Sequence, residues 1–240
     1  MLYLKDYASA MKPFADALDF LQGEKGVFYG TLIPTLVTIK TKIDRIINNG
    51  KENYLKQQLI FLQSRLFDRF EKYFTLSSEI NDAIVAAVLH PEVKLQWFAP
   101  IRDLTRKSVD EVKKLVIDYV ADNHVVDCDA AEDLILSRIG SFYDFGDEQN
   151  SFEQTTDVLS IDREVNLYLA DPFFNDLKKL KELPLLEKAF RKANTPLTSS
   201  APVERLFSFA GIVNTPRRHA LSDDHFEMLT LMKANAHFLK

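Results

Sequence analysis

The chain of 240 residues has one cysteine, Cys128. A single thiol excludes an internal disulfide and a cysteine-rich zinc site, and it suits a reducing compartment, nuclear or cytosolic. Glycine and proline are sparse, at seven and nine residues. β-Branched residues seldom alternate with polar ones, so the signature of a sheet protein is missing. No apolar run approaches the roughly 20 residues that span a bilayer, and no membrane partner is expected. Lys5 and Asp6 interrupt the N-terminal apolar residues too early for a secretory signal. The chain carries no internal repeat, low-complexity segment, glycine-rich phosphate loop or persuasive Ser/His/Asp spacing.

Apolar residues make up 46% of the chain and 18 are phenylalanine, enough for one or two domains with a real core rather than a disordered polymer. Long segments of 3.6-residue period dominate, which predicts a mainly α fold. The net charge of −5 conceals a division. Residues 1–74 hold 11 basic and 8 acidic side chains, residues 75–183 hold 11 and 22, and residues 184–240 hold 8 and 5. A duplex-binding surface needs clustered Lys and Arg; the central third cannot supply one, while the two ends can in part.

Leu4, Tyr7, Met11, Phe14, Leu18 and Leu21 predict a first helix buried along that stripe, with Pro13 as a kink or break. A second is expected from about Thr31 to Ile47, with Leu36, Ile39 and Ile43 inward. A third is expected from about Glu52 to Phe74, with Leu55, Leu59, Leu62, Leu66 and Phe70 inward. Short connections make these antiparallel neighbours. Ser108 to Glu111 form a capping box that opens a helix to about Asn123. Residues 144–162 are acidic and weakly periodic and read as a loop or linker. Pro184 opens a helix carrying Leu185, Leu186, Ala189, Phe190 and Ala193 inward. Ser222 caps a last helix from about Asp223 to Leu239, whose apolar arc of Phe226, Met228, Leu229, Leu231 and Met232 is wider than one contact needs.

The most informative stretch is Thr195 to Asn235. Ser199 or Ser200 can cap a helix, with Pro202 in its first turn and Val203, Leu206, Phe207 and Ala210 along one apolar face. Glu204 lies off that face, with Ser208 and Gly211 one and two turns on, which leaves room for something to approach the carboxylate. The string from Ser199 to Ser208 (Ser-Ser-Ala-Pro-Val-Glu-Arg-Leu-Phe-Ser), with Ala210-Gly211, Arg217-Arg218 and Leu221, resembles the C-terminal dimerisation region of hAT-type DNA transposases. Domesticated host proteins linked to BED zinc fingers are the closest look-alikes. Leu183 to Leu186 with Ala189 extend the likeness, and residues 15–21, Ile33-Pro34 and residues 83–94 resemble the family's helical insertion domain. His90 stands where the family has Asp, and Glu92 where it has Arg, so no polar contact carries over there.

The resemblance implies a helical insertion-type domain over residues 1–143, the acidic linker over 144–162, and a dimerisation region over 163–240 that ends an RNase H-like core. It implies association with a second copy or with related hAT-derived proteins, through Leu206, Phe207, Phe209, Phe226, Leu229 and Met232, and a nuclear location. Glu204 matches the third acid of the family's catalytic triad. Three carboxylates are needed to hold the Mg²⁺ pair of strand cleavage and transfer. The chain is read as beginning at or within the insertion, so the first two acids have no counterpart, and the BED finger is missing. The expectation is a catalytically incomplete dimerisation module, with no cofactor and no metal; Mg²⁺ belongs only to a complete core. The alternative is a fragment of an active transposase.

The other polar groups have ordinary readings beside sharper ones. Glu204 alone is a first-turn helix acid, and Arg205 an anchor for carboxylate or phosphate. Arg217, Arg218 and His219 are a solvated cap or a DNA-phosphate contact. His124, Asp127 and Asp129 match no standard zinc spacing. Trp97 beside Phe98 is a core residue or a base-stacking platform.

Overall fold

The segment Asn81–Leu89 forms a helix with no polar side from Ala83 onward: all seven residues from Ala83 to Leu89 are buried. A helix apolar on every side must lie at the centre of its fold, and the other elements are arranged around it. The computed structural model describes residues 2–23, 26–48, 55–125, 152–214 and 221–236. Among them are nine α-helices and no strand: α1 (Leu2–Leu21), α2 (Leu32–Asn48), α3 (Lys56–Phe74), α4 (Asn81–Leu89), α5 (Val109–Val125), α6 (Phe152–Ala170), α7 (Pro184–Ala193), α8 (Ala201–Val213) and α9 (Asp223–Ala234).

The mainly α class is as the periodicity predicts. Around α4, helix α2 packs on one side and carries α1 and α3 on its outer flanks; α5 and α7 pack on the other, with α6 outside α5. Helix α2 buries Leu36, Ile39 and Ile43, and α3 buries Leu59 and Leu66, the positions their spacing selects. Ser108 and Glu111 exchange the reciprocal bonds of a capping box: Glu111 N–H donates to Ser108 Oγ at 3.2 Å, and Ser108 N–H to Glu111 Oε2 at 2.6 Å.

Three sequence expectations are corrected. Helix α1 runs unbroken through Pro13, but it turns Ala10, Pro13 and Ala17 inward and leaves Leu4, Tyr7 and Leu18 more than half or half exposed. Small side chains let α1 lie close on α2, which rotates the larger residues outward. Helix α6 begins at Phe152, so the second half of the segment read as a loop is helical. Buried Ile161, Val165 and Tyr168 anchor it. Residues 144–151 lie outside the described residues. Finally, neither Ser199 nor Ser200 caps α8. Ser200 Oγ donates to the Glu204 carboxylate at 2.6 Å, and Ser199 Oγ to Leu21 O at 3.1 Å.

Two polar nodes hold the centre together. Gly30 N–H donates to Asn194 Oδ1 at 2.7 Å, while Asn194 Nδ2 donates to Phe190 O at 3.1 Å and reaches Ala86 O at 3.5 Å. Tyr168 Oη donates to Leu89 O at 2.9 Å, at the end of α4. Lys94 Nζ donates to Tyr168 O and Asp171 O at 2.6 Å each and lies 4.7 Å from the centre of the Tyr168 ring. A cation on the last carbonyls of α6 complements the helix dipole.

Candidate functional site

Helices α8 and α9 form a hairpin that packs chiefly upon itself. Only Val213 and Thr230 are buried among its described residues, and neither belongs to the central apolar cluster. Its attachment to the rest of the fold is largely polar. Thr198 and Ser199 hydroxyls donate to Leu21 O, and the Arg205 guanidinium donates to Gln22 O at 3.0 Å. These carbonyls close α1, where the helix itself offers them no partner. Between hairpin and α1 lies a groove of about 970 Å³, walled by Leu21, Val27, Leu197, Leu206, Phe209 and Leu231.

The apolar face of α8 is turned from its expected direction. Leu206, Ala210 and Val213 face inward to varying degrees, whereas Val203 is 44% and Phe207 69% exposed. On α9, Phe226 and Leu229 are half-buried, while Met228, Leu231 and Met232 are exposed. Of the six residues expected to mediate association, Phe207 and Met232 therefore stand in solvent, and Leu206, Phe209, Phe226 and Leu229 are half-covered. Ile212 adds another exposed side chain. Ser222 caps α9 as its sequence predicts, its Oγ accepting from His225 N–H.

Glu204 is exposed in the first turn of α8, its carboxylate bonded to Ser200. Ser208 Oγ donates to Glu204 O at 3.1 Å, and a side chain at Gly211 would meet nothing within 4 Å. The space above the carboxylate is open, as the small residues imply. No cluster of three or more His, Cys, Asp or Glu that could hold a metal exists among the described residues. Arg217, Arg218 and His219, with Asp127 and Asp129, fall outside the described residues. Trp97 is buried at 4% exposure and forms an edge contact with Phe98, which makes it a core residue.

A second concavity, of about 340 Å³, lies between α1, α2 and the turn after α4. Pro13, Ala17, Phe20, Pro34 and Val93 line it, with Asp16, Lys42 and His90 among its polar groups. Asp16 pairs with Lys12 at 2.9 Å and Lys42 at 3.6 Å; the Lys12 hydrogen bond chiefly holds its carboxyl below the usual range. His90 is buried between Phe28 and Phe190, and its Nδ1 has no partner. Burial pushes its pKa below the ordinary value, against a weaker upward pull from Glu92. The sequence marks His90 only as a departure from a resemblance; nothing in it shows that two aromatic rings enclose the imidazole.

No protein-family model, curated protein or solved structure matches this chain.

Proposed function

We propose that the chain is part of a domesticated hAT-type transposase whose C-terminal hairpin serves association with a second copy or with a related chain. The observation that carries this reading is the hairpin's poverty of internal core. Two amphipathic helices bury only a valine and a threonine while exposing Val203, Phe207, Ile212, Met228, Leu231 and Met232. Each such side chain, fully covered, contributes about 1.5–3 kcal/mol. A patch of this kind on a protein surface marks a docking face; Val203 and Phe207 fall within the string that resembles the family's dimerisation region, and the others within residues 163–240, which the resemblance assigns to that region.

On this reading the hairpin ends an RNase H-like core whose first two acids have no counterpart in these residues, and Glu204 acts as a helix acid bonded to Ser200. Arg217 and Arg218 provide a DNA-phosphate contact, as the resemblance implies, and the chain works in the nucleus. Sedimentation at micromolar concentration is expected to give dimer mass. Phe207→Glu should weaken association, raising the concentration at which dimer forms, with an unchanged circular dichroism spectrum, since the replaced side chain lies mostly in solvent. Monomer mass for the wild-type chain would overturn the reading. The opposing possibility, an active strand-transfer fragment, is tested by Mg²⁺-dependent nicking of hairpin DNA. No nicking is expected, from wild type or Glu204→Ala; nicking lost only in Glu204→Ala would establish the enzyme.

A further inference from the structure

Helix α1 carries a second apolar stripe that the fold covers only in part, Leu21 at its end being part-buried beside the groove under the hairpin. Leu4, Tyr7, Met11, Phe14, Leu18 and Leu21 alternate at spacings of three and four, the seam pattern of a coiled coil. A packed helix normally turns such a seam inward, yet Leu4 is 68%, Tyr7 50% and Leu18 58% exposed, while Met11 and Phe14 are half-covered by the core. The stripe extends for about 26 Å at 1.5 Å per residue. Pro13 lies off it, on the side buried toward α2, so the seam is not interrupted.

The seam is complementary to itself. Laid antiparallel against a copy with a twofold axis between Lys12 and Pro13, Leu4 meets the copy's Leu21, Tyr7 its Leu18 and Met11 its Phe14. All three couples share one register. The neighbouring positions Ala8 and Ala15 are small and let the helices approach. Charge points the same way. Lys5 and Asp19 border the same edge of the stripe at opposite ends, and neither has an ion-pair partner within the described residues. The antiparallel register brings each Lys5 within one residue of the other chain's Asp19, twice by symmetry.

We infer that α1 is a second self-association face, at which two copies of this chain pair their α1 helices antiparallel about a twofold axis. The inference rests on α1 alone and not on the hairpin reading, and the test separates them. All proteins carry Phe207→Glu to disable the hairpin and Cys128→Ser to remove the native thiol. In this background, sedimentation should still show concentration-dependent dimers, which Leu18→Glu converts to monomers without loss of helicity. Lys5→Glu should weaken pairing by about tenfold, and adding Asp19→Lys should restore it. Under mild oxidation, a mixture of Tyr7→Cys and Leu18→Cys chains should form mixed disulfide dimers, while either chain alone should not. The residues pair only in the antiparallel register. Monomers in the Phe207→Glu background at every concentration would overturn the proposal. So would disulfide formation by Tyr7→Cys alone, or dimers indifferent to Leu18→Glu; a different polypeptide is then the occupant of this face.

Discussion

At Gly30 the chain passes so close to α4 that a methyl group has no room. A Cβ there would lie 2.1 Å from Ala86 O and 2.9 Å from Asn194 Oδ1. The first neighbour is backbone at the centre of the fold and cannot step aside. Gly30→Ala is therefore expected to destabilise by about 2–3 kcal/mol or more, read as a shift in the urea midpoint at unchanged slope. Asn194→Ala should cost about 1–3 kcal/mol by leaving the Gly30 N–H buried and unpaired. His90 gives a pH signature. In the unfolded chain its imidazole takes up a proton as pH falls through about 6.5; in the folded protein, burial delays that uptake to lower pH. The unfolded state then binds more protons, so stability falls as pH drops below about 6.5, by at most about 1.4 kcal/mol per pH unit for one group. A His90→Leu protein, free of the unpaired Nδ1, should show a flatter midpoint across pH 5–7.5, and the difference between the two proteins isolates the histidine. Local residue chemistry was legible beforehand: the Ser108–Glu111 box and the Ser222 cap are written in three or four consecutive residues. The Gly30–Asn194 bond was not, because its partners stand 164 positions apart and no local pattern joins them.

Among the elements, α4 and the hairpin are opposites. Helix α4 is enclosed on every side, and α8 and α9 lean on one another with much of their apolar surface wet. Under conditions that keep the chain monomeric, amide hydrogens of α8 and α9 should exchange through local opening, orders of magnitude faster than those of residues 84–88, whose exchange should follow global unfolding. Protection of the hairpin should rise with protein concentration. Helix positions and the buried faces of α2, α3 and α7 follow from periodicity, since each has one dominant stripe. Periodicity failed for α1 because that helix has two. A large-residue stripe looks like the core side, yet close approach to α2 selected the alanines and Pro13. It failed again for α8, where Val203 and Phe207 belong to the expected stripe but the groove draws in Leu206 and Phe209. Nothing within either helix records which face its neighbour takes.

For the whole molecule, a chain that pairs through exposed apolar surface gains stability by mass action. Its thermal midpoint should rise with protein concentration, and Phe207→Glu should reduce that rise by removing the hairpin's share. The helical class was legible from composition and period. The way α6 and α7, which the resemblance groups with the C-terminal region, are built into the body around α4 was not, because that packing joins segments separated by the whole acidic stretch. The junction between body and hairpin has a mechanical side as well. The last carbonyls of α1 are occupied by Thr198, Ser199 and Arg205, so whatever tugs the hairpin away also unfastens the end of the first helix. Strain applied to the hairpin would thus be felt at the end of α1, through three side chains and a pair of oxygens.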